Sequence, residues 1–219
     1  SIFTIPGLSR IYGRELEPDK VDRLSELIRN KQEFYRSKGS RKHILSCEVF
    51  VCGKAYTESV YYTDPVMYGL PERVREYVRN TRTSVPDIHC FMQEHRHEIE
   101  GINIIAPDPA INRDLRDIIS SSMNVYITSS TGYYIEISAI GVSKAKALDT
   151  LSHDLQVKKE QIMAFGDSIN DLELLRYAGH AAAMGNAPDK VKKATNVIIP
   201  SNDEDGAARD IDIYLSDIF

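Results

Sequence analysis

The chain has 219 residues, 42% of them hydrophobic, and a formal net charge of −5, which is enough for one large or two small domains around a buried core. The acidic balance, with only short basic groups such as Lys190, Lys192 and Lys193, argues against a general nucleic-acid binder, because phosphate-backbone binding needs clustered positive charge. No apolar run approaches the length that crosses a bilayer, and the N-terminal SIFTIPGLSR has no charged start leading into a long apolar stretch, so a soluble cytoplasmic protein with no membrane partner is expected. Residues 1–5 are a short β-prone run closed by Pro6-Gly7, a strand and a turn. Pro18 suits the first turn of a helix that places Val21, Leu24, Leu27 and Ile28 on one face and frays beyond Phe34. After a polar stretch, residues 44–51 (ILSCEVFV) read as a strand, and Gly53-Lys54 turns the chain into a second strand over 55–62. Cys47 and Cys52 then point to opposite faces, and with Cys90 the cysteines are an odd set, so no local disulfide is expected.

Asp64-Pro65 breaks this pattern, and Pro71 opens a short helix carrying Val74, Tyr77 and Val78. A strand over 102–106 ends at Pro107-Asp108-Pro109 and gives way to a helix striped by Ile111, Leu115, Ile118 and Ile119. Residues 125–128 and 133–138 face each other across Ser130-Thr131-Gly132 as a hairpin. Strands, hairpins and helices mixed without regular alternation predict an α+β module over residues 13–138. His89, Cys90, His95 and His97 match no common zinc spacing, and solvated or packing roles are the expectation for them. Tyr56, Tyr61, Tyr62 and Tyr68 suit either packing or a surface over a substrate.

From Ser143 the pattern changes to strict alternation. A helix (Ala147, Leu148, Leu151, Leu155) is followed by a strand over 162–165, a helix, a strand over 181–184, a helix over 189–194, a strand over 197–199 and a helix over 207–215. Such alternation predicts a parallel sheet covered by helices, an α/β fold. Within it, QIMAFGDSIND (161–171) is the stretch that carries chemistry. A buried strand stops at Gly166-Asp167, and Asn170-Asp171 opens a helix that Gly179 closes. Ligands of open α/β sheets bind beyond the carboxyl ends of the strands. Two carboxylates and a carboxamide crowded there suit Mg2+, which favours oxygen ligands and the company of phosphates. The plainer alternative is that Asp and Asn cap the next helix.

The GDSIND block, preceded by GVSKAKAL (141–148) and followed by AAAMGNAPDKVKKAT (181–195) and SNDEDGAA (201–208), resembles the haloacid dehalogenase superfamily, and most closely its Cof-type phosphatases. The resemblance implies a Rossmann-like parallel sheet, present here as a partial core, with an inserted α+β cap domain. Residues 1–12 would be a core strand and turn, 13–138 the cap, and 139–219 the C-terminal part of the core. It implies a Mg2+-dependent hydrolase of small phosphorylated metabolites working through a phospho-aspartate. In that scheme Asp167 is a metal ligand and Asp171 supports the metal site from close behind. Asn170 offers its amide to the substrate phosphate, and Lys144 sets an ammonium beside phosphate and nucleophile. Ala145 departs from the Gly usual after that lysine. The family's nucleophile block, a strand ending in Asp-x-Asp before Gly and Thr, is not found. Asp210-Ile211-Asp212 mimics its spacing but sits in a helical pattern, and Asp108 ends a strand alone. The expectation is therefore a nucleophile outside these residues, in a longer protein or on a second polypeptide that completes the core. The other reading is a non-catalytic module that binds phosphate or metal.

Overall fold

The structure, a computed structural model, describes residues 2–3, 10–38 and 45–216. The chain divides into two compact units, Ser1–Ile140 and Gly141–Phe219. In the first, Ile2–Phe3 (β1) pairs antiparallel with Arg10–Tyr12 (β2), and the turn expected at Pro6-Gly7 lies outside the described residues. Helix α1 (Pro18–Ser37) starts on its proline and buries Val21, Leu24 and Ile28, as the spacing of its apolar residues requires. Strands β3 (Ser46–Val51) and β4 (Lys54–Glu58) form an antiparallel hairpin. Its two-residue turn holds both Cys52 and Gly53 at positive φ, +49° and +72°, matching the twist of the strands.

The strand expected to run to residue 62 stops at Glu58, and Ser59–Thr63 coil into a short helix, α2. Burial of Tyr61 against Tyr68, with ring centroids 5.2 Å apart, outweighs the β preference of the VYYT run. Helix α3 (Arg73–Thr81) buries Val74 and Val78. It leads into β5 (Arg82–Val85), which lies parallel to β4. Asp87 then caps α4 (Ile88–Glu94), accepting from the backbone of His89 and Cys90. β6 (Ile99–Ile105), α5 (Pro109–Ser122), β7 (Tyr126–Thr128) and β8 (Tyr134–Ser138) complete the unit.

The six strands run in the order β5-β4-β3-β6-β8-β7, antiparallel except for the β4/β5 pair. Strand residues alternate between two clusters. Cys47, Val49, Ile102, Ile104, Ile135 and Ile137 pack with the inner faces of α1, α4 and α5. Ile105 and Tyr134, one position out of phase, join Tyr61, Tyr68, Leu70, Val74 and Val78 in a second cluster. Glu48 is fully buried and is held bidentately by Arg82 at 2.9 Å from each oxygen, the geometry that lets a carboxylate be tolerated inside a sheet.

The second unit alternates as the pattern predicts: α6 (Lys144–Asp154), β9 (Met163–Gly166), α7 (Leu172–Tyr177), β10 (His180–Met184), α8 (Asp189–Lys192), β11 (Val197–Ile199) and α9 (Gly206–Ser216). Its three strands are parallel, in the order β11-β10-β9. The core is built of small residues, Ala164, Ala183 and Ala187 with Leu172, Leu175 and Val191 on one side and Ala182, Met184 and Ile199 on the other. Among the described residues, no helix is long and apolar enough to cross a membrane.

Candidate active site at the carboxyl end of the parallel sheet

β9 ends where the backbone passes very close to a side chain. A Cβ on Gly166 would stand 2.6 Å from Asp171 Cβ and 2.9 Å from Leu175 Cδ1, so only glycine lets the strand end abut the start of α7. Asp171, whose side chain is 6% exposed, depends on that closeness. Its Oδ2 accepts the backbone N–H groups of Asp167 at 3.1 Å and Ser168 at 3.0 Å, and its Oδ1 takes Lys144 Nζ at 2.5 Å. A buried carboxylate requires such partners. These ones curl the loop over 167–171 into a fixed shape.

Lys144 opens α6, where Ser143 Oγ accepts from the backbone of Lys146 at 3.2 Å. Its side chain is 52% exposed, so the ammonium has donors for a second anion besides Asp171. Asp167 is exposed at the strand end. Its Oδ1 accepts from Ser168 Oγ at 3.1 Å, and its Oδ2 faces Asn186 Nδ2 at 3.5 Å. Asn170 lies in the single turn of helix over Ile169–Asp171, and its Oδ1 is buried with no hydrogen-bond partner among the described residues, an orphaned polar atom of a kind that is rare in folded proteins. The structure thus brings Lys144, Asp167, Asn170 and Asp171 to one strand end.

The donor set fits a hard cation. Mg2+ commonly takes one or two carboxylates and fills its remaining positions with water and phosphate oxygens. Among the described residues, Asp167 offers a carboxylate whose oxygens each meet a single protein donor, whereas both oxygens of Asp171 are already engaged. Among the described residues, no group of three or more His, Cys, Asp or Glu side chains gathers as an all-protein metal cage.

The other sequence candidates have definite roles. Asp108 caps α5, accepting from Ala110 N at 2.8 Å and Ile111 N at 3.1 Å. Asp210 lies on α9 with Oδ2 2.8 Å from His180 Nε2. His89 is buried between Ser25 Oγ at 2.9 Å and Gln32 Oε1 at 3.0 Å, and His95 pairs with Glu98 at 2.6 Å. Tyr61 and Tyr68 pack in the second cluster, where burial pushes both phenols well above their usual range. Asn186 and Asn202 were missed as site residues. The signal for Asn186 was its place two residues beyond the end of a strand of the same sheet.

The family model for haloacid dehalogenase-like hydrolases matches residues 10–211. The chain belongs to this family. This haloacid dehalogenase-like chain is 38% identical over 115 residues to the 5-amino-6-(5-phospho-D-ribitylamino)uracil phosphatase YcsE of Bacillus subtilis, covering 52% of this chain and 46% of that protein. It is 26% identical over 182 residues to a putative phosphatase of Haemophilus influenzae, covering 83% of this chain and 70% of the relative. A solved haloacid dehalogenase-like hydrolase from Bacteroides thetaiotaomicron superposes with a TM-score of 0.68 at 25% identity, over 94% of this chain and 70% of that one. The chain spans about half the length of the Bacillus relative, and the matched structure is the longer chain.

Proposed function

We propose that the chain supplies the metal- and phosphate-binding side of a Mg2+-dependent phosphatase that acts on small phosphorylated metabolites through a phospho-aspartate. The observation that carries this reading is the division of labour at the end of β9: an exposed carboxylate, Asp167, beside a buried one, Asp171, whose two oxygens organise the loop and hold a half-exposed Lys144. A capping role alone would need neither the lysine nor the exposed carboxylate. The relatives that carry phosphatase names point the same way.

Mg2+ held by Asp167 would neutralise charge on the transferring phosphoryl group. Lys144 would place its free N–H donors on the equatorial oxygens, and Asn170 would offer its amide to them. Asp171 would act from behind, keeping Lys144 aimed and the backbone of Asp167 in place. The attacking carboxylate would come from an Asp-x-Asp strand on a further stretch of polypeptide. Among the described residues β9 is paired on one side only, by β10, and its other edge presents the N–H and C=O groups that such a strand would pair with.

The test is Mg2+-dependent hydrolysis of p-nitrophenyl phosphate by the chain together with a polypeptide carrying that strand. Asp167→Asn should abolish turnover without lowering the thermal midpoint, since it removes one charged ligand at an exposed site. The 219-residue chain on its own should match the no-protein control. Undiminished turnover in Asp167→Asn would remove the metal assignment.

A further inference from the structure

We infer that Asn186 is a positioning residue for Asp167, fixing the plane of the carboxylate that the proposed function assigns to Mg2+; the inference rests on that reading. The argument begins with the orientation of the amide. Asn186 Oδ1 lies 3.2 Å from the backbone nitrogen of Asn202, and a backbone N–H can only donate, so the atom facing it must be the oxygen. The NH2 end therefore points the other way, to Asp167 Oδ2 at 3.5 Å.

With Ser168 Oγ on Oδ1, Asp167 meets, among the described residues, one donor at each oxygen, from two different strand ends. A carboxylate engaged at both oxygens is hindered from rotating about its last bond, and its remaining lone pairs keep one direction. Carboxylates that ligate metals are typically held by hydrogen bonds of this kind from outside the coordination sphere.

The anchor at the far end of the amide is itself rigid. Gly185 donates its N–H to Pro200 O at 3.4 Å, and a Cβ there would lie 3.0 Å from both Ile199 O and Ser201 N, so the ends of β10 and β11 are pressed together. The turn of helix over Asn202–Glu204 is closed by Glu204 Oε2, which accepts from Ser201 N at 3.0 Å and Ser201 Oγ at 2.6 Å. Asn202 N–H thus has a fixed direction. An acceptor alone at position 186, such as Asp, would satisfy it equally well. Only an amide also gives Asp167 a donor.

The experiment is calorimetric titration of Mg2+ into the 219-residue chain, three single variants and two double variants, with the thermal midpoint as a control for folding. Asn186→Ala should weaken Mg2+ binding about tenfold, the scale for losing an outer partner of a metal ligand. Asn202→Pro should produce a similar loss, because it deletes the N–H that orients the amide at a first helical position where proline is tolerated. Combining either change with Asp167→Asn should add nothing to the loss from Asp167→Asn alone, because both act through that carboxylate. Wild-type affinity in Asn186→Ala, alongside lost binding in Asp167→Asn, would overturn the positioning role and leave the metal reading standing. Wild-type affinity in Asp167→Asn would remove the metal reading and this inference with it.

Discussion

Lys144 has one anion already, Asp171 at 2.5 Å, and half of its side chain in solvent for another. If its charge stabilises the transferring phosphoryl group, Lys144→Ala should lower kcat about a hundredfold or more when the chain is assayed together with a polypeptide carrying the Asp-x-Asp strand, the scale for losing one preorganised electrostatic group. Stability should also fall, by about 1–3 kcal/mol, because the buried Asp171 loses its cation while keeping its two backbone donors. Near-normal kcat with a raised KM would reduce Lys144 to a docking residue. His89 makes a different prediction, about pH. Its imidazole is pushed below its usual range by burial first and by Arg29 next, with Asp87 opposing. Gln32, which donates to Glu58 at 2.6 Å and to Leu45 O, presents its oxygen to His89 Nε2, so Nε2 carries a proton, and burial favours the neutral form of the ring. Below about pH 6.5 the unfolded chain binds a proton that the folded chain does not. Stability is therefore fully present above that pH and is lost as pH falls toward the folded value, by at most about 1.4 kcal/mol per pH unit. Glu58, raised by burial, acts in the opposite sense. Urea midpoints at pH 7.5 and 5.5 should consequently fall more in wild type than in His89→Gln, and equal falls would contradict the account.

At the scale of elements, the end of β9 and the start of α7 are fixed by one missing methyl. Gly166→Ala would set a carbon 2.6 Å from Asp171 Cβ, and such overpacking costs about 1–3 kcal/mol. The urea midpoint should drop accordingly, and the displaced Asp171 should release Lys144, so that turnover in the presence of the nucleophile-bearing polypeptide falls further than stability alone explains. A variant as stable and active as wild type would mean that the loop can move aside freely. This junction was legible in the sequence because every signal in it is local: an apolar strand, a glycine, carboxylates at set spacing and a leucine-striped helix. The alternation of the second unit was legible for the same reason. In the first unit α2, β5 and α4 were not foreseen, since each is short and owes its form to distant partners. Arg82, for example, reaches across to Glu48, and Tyr61 is buried against Tyr68. A packing role for His89 is what the sequence suggests, but its partners Ser25 and Gln32 are remote in sequence and only the fold identifies them. The contact of Asn186 with Asp167 escaped for the same cause, as it joins two strand ends separated by a whole helix.

The whole molecule pairs two units of unequal solidity. The first buries large aliphatic residues, among them Leu16, Leu24, Ile28, Ile88, Ile99, Ile102, Ile104 and Leu115, each at 1% exposure or less. The core of the second rests on alanines, and Leu155 and Ile213 stay 64% and 63% exposed. Burial of apolar area scales with side-chain size, at roughly 25 cal/mol per Å², so the second unit should open at lower free energy. Native-state hydrogen exchange should show amides of β9 and β10 exchanging ahead of those of β3 and β6. Equal protection in the two sheets would argue that they open as one cooperative body.

The strand order has a bearing on assembly during synthesis. β3 meets β4 at once across Cys52-Gly53, but its other neighbour is β6, with Cys47 opposite Ile104. The middle of that sheet cannot form until α4 and β6 have left the ribosome. In the second unit, by contrast, each strand joins the one made just before it. Loop closure is slow when contacts are far apart along the chain, so the sturdier unit is also the one whose sheet must wait longer for its central partner.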